Sequence, residues 1–135
     1  MSDLNVLDAS AVIALLQAEK GDDMVRAAIH ERPCCWSTVN YCETIAKLCG
    51  KGMPNADART AVDKINVQVV SFDRDMAGRA AFLRVPTKNI GASLGDRACL
   101  ALAGFLLESG DIPVVYTAEK IWTKIPWKFK LVLIR

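Results

Sequence analysis

The sequence has few of the residues that build zinc sites or disulfide frameworks. It contains a single histidine, His30, and five cysteines, none of which form a CxxC pair. An odd number of irregularly spaced cysteines fits no disulfide framework, and one histidine gives little support for a Cys/His zinc site. We therefore expect a reduced, cytoplasmic compartment. Any metal ion would then have oxygen ligands, which suit Mg²⁺ or Mn²⁺.

Long apolar runs and a strong net charge are also missing. The longest uncharged apolar run, Ala98 to Leu107, is about half the length that spans a bilayer. The N-terminal residues lack the basic start and cleavage-like segment of a secretory signal. We therefore expect no association with a membrane. The net charge of +2 neither diagnoses nor opposes a nucleic-acid partner.

The sequence does contain enough apolar residues to form one hydrophobic core. Hydrophobic residues make up 52% and charged residues 24% of the 135 positions, a composition typical of ordered globular proteins. A chain of this length usually forms one domain. Because no repeat, linker or low-complexity stretch divides it, we predict a single domain over residues 1–135.

Predicted strands alternate with predicted helices along the chain. Strands are expected at 4–7, 34–36, 67–70, 113–116 and 128–133, and helices at 9–17, 21–31, 38–49, 54–64, 74–84, 94–108 and 118–123. This alternation predicts an α/β protein, a three-layer α/β/α sandwich with a mainly parallel central sheet. The lysines Lys128 and Lys130 favour an edge position for the last strand. Ligands of such sheets bind beyond the carboxyl ends of the strands.

Four acidic residues stand in apolar surroundings, two of them next to predicted strand ends. They are Asp8, Glu43, Asp96 and Glu119. Burying several carboxylates together is unfavourable, because each loses hydration and they repel one another. A divalent cation bound by all of them removes both penalties, and it supplies the chemistry of phosphodiester hydrolysis. We predict that these four residues form a catalytic metal site.

Each of these acids also has a purely structural interpretation. Asp8 is well placed to cap the first helix, and Ser93-x-x-Asp96 has the spacing of a capping box. Glu43 is spaced for an i, i+4 ion pair on an exposed helix face. Glu119 suits the first turn of a helix, where acids are common.

Four segments of the sequence resemble the motifs of PIN-domain nucleases, specifically the VapC-type toxins of bacterial toxin–antitoxin pairs. The segments are Val6–Ala11, Asn40–Glu43, Ser93–Ala103 and Thr117–Trp122, each containing one of the four acids. Phe72-Asp73 with the alanines that follow is also similar to a common helix start in this family. The resemblance covers essentially the whole chain.

The resemblance implies a fold, an activity and partners. These are an α/β/α sandwich, Mg²⁺- or Mn²⁺-dependent ribonuclease activity, a homodimer, and a cognate antitoxin whose tail blocks the acidic groove. One departure concerns the fourth motif, which usually carries Asp where this sequence has Glu119. The additional methylene puts the position of a second metal ion or of the attacking water in doubt.

Polar and basic neighbours are assigned supporting roles. Ser10, Asn40 and Thr117 are candidates for orienting the carboxylates by hydrogen bonds. Because an acidic pocket repels RNA, we also expect basic residues to flank it. The candidates near the motifs are Lys47, Arg97, Lys120 and Lys124, with Lys128, Lys130 and Arg135 at the C-terminus.

Two other functions compete with the nuclease. The first is a catalytically inactive PIN-like module that binds RNA or protein, in which Glu119 marks a decayed site. The second is a receiver-like signalling domain, which also places acids around Mg²⁺ at strand ends. That class needs a paired-acid segment early in the chain and a lysine after a late strand, and only Lys120 offers the latter.

Overall fold

Strands and helices alternate over residues 3–135, the part of the chain that the computed structural model describes. The strands are β1 (Asp3–Leu7), β2 (Cys34–Ser37), β3 (Gln68–Val70), β4 (Ile112–Thr117) and β5 (Lys130–Leu133). The α-helices are α1 (Ala9–Leu16), α2 (Asp22–Glu31), α3 (Thr38–Gly50), α4 (Asn55–Asp63), α5 (Arg74–Phe82) and α6 (Leu94–Glu108). Two short 3-10 helices cover Lys88–Ile90 and Lys120–Lys124. The second replaces the α-helix predicted over residues 118–123.

The central sheet is parallel throughout, in the order β3-β2-β1-β4-β5. Val6 of the central strand pairs with Cys35 on one side and Val115 on the other. Because β1 is in the middle, the residue that follows it lies at the centre of the carboxyl edge. β5 is an edge strand, as its lysines predicted, although it begins at Lys130 rather than Lys128.

Helices cover both faces of the sheet and enclose two apolar cores. One core packs Val6 and Val115 against α5 and α6, and includes the buried Trp122. The other packs Leu7 and Trp36 against α1 to α4. The predicted three-layer α/β/α arrangement is therefore confirmed. No helix within residues 3–135 is both long and apolar enough to cross a membrane.

Side-chain caps fix where the helices next to the carboxyl edge begin. The Ser37 hydroxyl accepts the Val39 N–H at the start of α3, and the Asp73 carboxylate accepts the Met76 N–H at the start of α5. The Thr38 hydroxyl accepts the Phe72 N–H at 3.0 Å, which ties the start of α3 to the segment after β3. These contacts hold the helix starts around one end of the sheet.

Candidate functional site

Asp8 lies at the centre of the carboxyl edge, directly after β1, and only 3% of its surface is exposed. It occupies the N-cap position of α1, but its side chain makes no capping hydrogen bond. The Asp8 Oδ2 atom instead accepts the hydroxyls of Ser10 at 2.7 Å and Thr117 at 3.0 Å. Helix capping therefore does not explain this carboxylate.

The two hydroxyls that bind Asp8 are themselves held by the backbone after β4. The Ser10 Oγ atom accepts the Ala118 N–H, and the Thr117 Oγ1 atom accepts the Glu119 N–H, both at 3.0 Å. Because an ionised carboxylate can only accept hydrogen bonds, each hydroxyl donates its own proton to Asp8. The first and fourth motifs are thus joined by hydrogen bonds, as predicted for Ser10 and Thr117.

Burial makes ionisation of Asp8 unfavourable. Loss of hydration raises the pKa of Asp8 from 3.8 to about 6, and the hydrogen bonds from Ser10 and Thr117 oppose part of this rise. The negative charges of Asp96 and Glu43 make smaller contributions to the same rise, which are already included in the value of about 6. A perturbed carboxyl at the carboxyl edge of a parallel sheet is a candidate functional group.

Glu43 projects from α3 toward the start of α6. Its Oε1 atom accepts the Asn40 side-chain amide at 3.0 Å, and the same amide nitrogen donates to the Gly95 carbonyl at 3.1 Å. No ion pair within residues 3–135 joins Glu43 to Lys47, four residues on. The predicted alternative, a surface ion pair, is therefore wrong for Glu43.

Gly95 makes room for the Glu43 carboxylate. A Cβ atom at this position would overlap the carboxyl group of Glu43. Sequence reasoning missed this role of Gly95. The available signal was a glycine in the first turn of an otherwise apolar helix, where glycine is intrinsically unfavourable.

Asp96 forms a capping box with Ser93 at the start of α6. The Ser93 hydroxyl accepts the Asp96 N–H, and the Asp96 Oδ2 atom accepts the Ser93 N–H at 2.9 Å, so the capping box is present. The capping interaction uses Oδ2 only. The capping box and the metal site are therefore compatible interpretations of Asp96.

Glu119 lies at the start of the 3-10 helix Lys120–Lys124 and is half-buried. Its backbone N–H supports Thr117, as described above. The structure thus connects the Glu119 backbone to Asp8 through one hydroxyl. The role of the Glu119 carboxylate stays a prediction.

The buried Cys99 thiol is affected by the charges of three of these carboxylates. Burial is the main reason that the pKa of Cys99 lies well above its ordinary range, and the charges of Asp8, Asp96 and Glu43 add to the shift. The three acids therefore lie near enough to Cys99 for their charges to act on its thiol. Their mutual repulsion there is the electrostatic condition that a bound cation relieves.

The carboxylates of Asp8, Glu43 and Asp96 do not converge on a single point in the structure. Among residues 3–135, no three His, Cys, Asp or Glu side chains are already arranged to fit a metal ion. The hydrogen bonds from Ser10 and Thr117 both go to Oδ2 of Asp8, which leaves Oδ1 as a possible ligand atom. The donor set fits a hard cation in chemistry, and a cation would draw the carboxylates closer together.

Two of the predicted basic flanking residues have structural roles instead. The Arg97 guanidinium donates to the Ala80 carbonyl at 3.1 Å, because Arg97 lies on the side of α6 that faces α5. Arg135 donates to Glu19 and to the Lys20 carbonyl. Lys47, Lys120 and Lys124 are exposed, as the prediction requires.

Comparisons with known proteins identify the family of the chain. The model of the PIN domain family matches residues 6–128. Among curated protein sequences, no significant match is found.

Solved structures of similar fold include three related to toxin–antitoxin systems. The VapC20 toxin of Mycobacterium tuberculosis, described as cleaving the sarcin–ricin loop, has a TM-score of 0.69 at 18% identity, over 89% of this chain and 93% of the other. VapBC2 from Rickettsia felis, bound to promoter DNA, has a TM-score of 0.68 at 13% identity, over 96% and 97%. A toxin–antitoxin complex from Klebsiella pneumoniae has a TM-score of 0.67 at 18% identity, over 97% and 98%.

The family model covers all four motifs, and the fold places Asp8 at the edge where the sequence located the chemistry. The chain belongs to the PIN domain family.

Proposed function

We propose that this protein is a metal-dependent endoribonuclease and the toxin of a type II toxin–antitoxin pair. The observation that carries the proposal is the environment of Asp8. A buried carboxylate whose pKa is raised to about 6 lies close enough to Asp96 and Glu43 to be affected by their charges. Repulsion between carboxylates does not stabilise a protein core, whereas clustered carboxylates are what a cation-binding site is made of.

Each acid has a distinct part in this proposal. Asp8 and Asp96 are the principal ligands of a divalent cation, Mg²⁺ or Mn²⁺. Glu43 completes the ligand set, with Asn40 holding its Oε1 atom beside Gly95. Glu119 orients the water that attacks the phosphodiester. When bound, the cation supplies Lewis acidity toward the phosphate.

The chain itself controls the direction and the charge of Asp8. Ser10 and Thr117 direct both their protons to one carboxylate oxygen, which fixes the rotation of the group and leaves the other oxygen available. The same hydrogen bonds favour the ionised form that a cation requires. This support comes from the turn after β4, so the site is assembled only when the central strands are paired.

The nuclease is tested by cleavage of RNA. The purified protein is incubated with a mixed RNA pool and Mg²⁺ or Mn²⁺, beside a chelator control and the Asp96→Asn variant, which keeps the capping acceptor for Ser93. The proposal predicts cleavage that needs both the metal and Asp96. An Asp96→Asn variant that cleaves as fast as the unaltered protein would remove the acid cluster from the mechanism.

Two protein partners accompany the proposal. The first is a cognate antitoxin, as in the toxin–antitoxin complexes of similar fold. The second is another copy of this chain. Phe82 supports self-association, because it is a large apolar side chain at the end of α5 and is 81% exposed. Sedimentation of the unaltered protein beside a Phe82→Ser variant tests the homodimer, which should weaken in the variant.

The inactive binding module makes the opposite prediction for the same assay. Such a protein binds RNA or a partner protein but shows no metal-dependent cleavage, although its fold is unchanged. The extra methylene of Glu119 is the feature that favours this alternative. Restoring the usual acid with Glu119→Asp separates the two: cleavage that appears only in Glu119→Asp would establish that the natural chain is a non-cleaving relative.

A further inference from the structure

The segment between α5 and α6 forms a cleft with a positive lining. The cleft has a volume of about 390 Å³ and is lined by Arg84, Val85, Thr87, Lys88, Gly91 and Ala92. Its two charged residues are both cations, and both are exposed. No acidic side chain contributes to the lining. The sequence analysis did not include Arg84 or Lys88 among the basic flanking residues.

The cleft is built from an ordered turn. Thr87 is buried, and its hydroxyl donates to the Leu83 carbonyl at 2.6 Å. The 3-10 helix Lys88–Ile90 follows, and it ends at Gly91, whose φ of 62° lies in the left-handed region that favours glycine. The backbone that presents Arg84 and Lys88 is therefore fixed by local hydrogen bonds.

The cleft adjoins the acidic site on two sides. Its last residue, Ala92, precedes Ser93, whose N–H binds the Asp96 carboxylate. The 3-10 helix Lys88–Ile90 also contacts the 3-10 helix Lys120–Lys124, which directly follows Glu119. The segment that carries Arg84 and Lys88 thus connects to the elements that carry Asp96 and Glu119.

The cations of the cleft are not neutralised by neighbouring acids. Within residues 3–135, the ion pairs involve Arg26, Lys51, Arg59, Arg79 and Arg135, but neither Arg84 nor Lys88. An acidic catalytic site repels the backbone of a nucleic acid, and free cations next to it offset that repulsion. Contacts of this kind supply most of the affinity for a polyanionic strand.

We propose that the cleft of Arg84 and Lys88 binds the RNA phosphates that flank the scissile bond. The inference rests on the proposed nuclease function, since it assigns the substrate-binding surface of that same site. Phosphate contacts position a strand without reading its bases. The cleft therefore sets the register of the strand over Asp96 rather than the sequence that is cut.

Binding of a single-stranded RNA tests the assignment without interference from cleavage. A fluorescent oligonucleotide of mixed sequence is titrated with the Asp96→Asn protein and with the same protein carrying Arg84→Gln/Lys88→Gln, by anisotropy at several salt concentrations. The matched control carries Arg74→Gln/Lys64→Gln in the Asp96→Asn background. Arg74 lines a different cleft, together with Asp75 and Glu108, and Lys64 follows α4.

A quantitative result follows from the salt dependence of phosphate contacts. On a single strand, each phosphate contact adds about 0.7 to the slope of log affinity against log salt concentration. Two contacts therefore add about 1.4 to the slope, which corresponds to about 25-fold in affinity at 0.1 M salt relative to 1 M. We expect Arg84→Gln/Lys88→Gln to lose this much and the control to lose little. Single-stranded DNA of the same sequence should show the same loss.

Two outcomes would overturn the inference. The first is equal binding of RNA by the cleft variant and the control. The second is a loss of affinity for RNA but not for DNA, which would indicate base or 2′-hydroxyl contacts. Cleavage by the unaltered protein is measured separately. If the unaltered protein cleaves RNA in a metal-dependent way while the cleft variant binds like the control, the cleft assignment fails and the nuclease stands. If binding depends on the cleft but no cleavage occurs, the nuclease proposal fails and the binding surface stands.

Discussion

The Thr117 hydroxyl donates to the Asp8 carboxylate at 3.0 Å while it accepts the backbone N–H of Glu119 at the same distance. Thr117 and Asp8 are 109 positions apart in the chain. Parallel pairing of β1 with β4 brings their ends together. The fourth motif therefore acts on the first through the hydroxyl of its threonine.

Replacing Thr117 with valine should shift the acid limb of the cleavage rate to higher pH. Valine keeps the shape of the side chain but removes the proton that stabilises ionised Asp8. A hydrogen bond to a charged group is worth about 1.5–3 kcal/mol, so the limb should move by about one pH unit or more. The control is Thr123→Val, which removes an exposed hydroxyl bound to the Lys120 carbonyl. Identical pH profiles for the two variants would contradict this role of Thr117.

Replacing Asp8 with asparagine should stabilise the metal-free protein at neutral pH. Burial raises the pKa of Asp8 from 3.8 to about 6, so the folded state binds more protons than the unfolded state between these values. The free energy of unfolding therefore falls as the pH rises through this window, by at most about 3 kcal/mol. Asparagine carries no charge and avoids this loss.

Thermal denaturation in chelator at several pH values measures the effect. The melting temperature of Asp8→Asn should exceed that of the unaltered protein at pH 7.5, and the difference should shrink as the pH falls toward 4. Added Mg²⁺ should stabilise the unaltered protein but not Asp8→Asn. A difference that does not depend on pH would argue against the raised pKa.

Replacing Gly95 with alanine should greatly reduce cleavage. Because the new Cβ atom would overlap the Glu43 carboxylate, Gly95→Ala forces that carboxylate away from its position. The matched control is Gly104→Ala in the same helix, where no atom lies within 4 Å of the new Cβ. We expect Gly104→Ala to retain full cleavage and to gain about 0.5–1 kcal/mol of stability, as alanine does in helices. Gly95→Ala should lose cleavage at least tenfold, and normal cleavage would show that Glu43 is dispensable.

Asn40 should affect metal affinity beyond its effect on stability. Asn40→Leu removes the amide that holds Glu43, and loss of such support typically lowers metal affinity about 10- to 100-fold. Asn5→Leu is a matched control, because Asn5 is also fully buried, donates to a backbone carbonyl at 2.9 Å and has an unpartnered side-chain oxygen. Both variants should lose stability, measured by denaturant unfolding. Equal Mn²⁺ affinities in the two would contradict a specific role for Asn40.

The sequence was sufficient to predict the fold and the supporting hydroxyls. Short, mostly apolar segments such as the one before Asp8 indicate strands buried on both faces, and their alternation with helices predicts a parallel sheet. Capping residues at Ser37, Asp73 and Ser93 marked three helix starts correctly. These signals are local or periodic, so they can be read from one chain.

The features that the sequence did not reveal depend on how distant segments pack. Gly95 of α6 faces Glu43 of α3, and although its position in the first turn of α6 was a local signal, only the packing of the two helices shows which side chain it admits. The sequence placed Arg97 beside the site, but the face of α6 on which it lies turns it toward Ala80. The sequence analysis did not identify the basic cleft because Arg84 and Lys88 lie outside the four motifs, and their segment is connected to the fourth motif only through the packing of the two 3-10 helices.

The most direct test of the account is a Mn²⁺ titration of the unaltered protein, Asp96→Asn and Asp73→Asn, followed by calorimetry. Asp73 is an acid that caps α5 and serves as the control for loss of one negative charge. If the clustered acids hold a shared cation, Asp96→Asn should bind Mn²⁺ more than tenfold more weakly, and Asp73→Asn should bind it as the unaltered protein does. Equal affinity for Mn²⁺ in all three proteins would contradict a metal site formed by these acids.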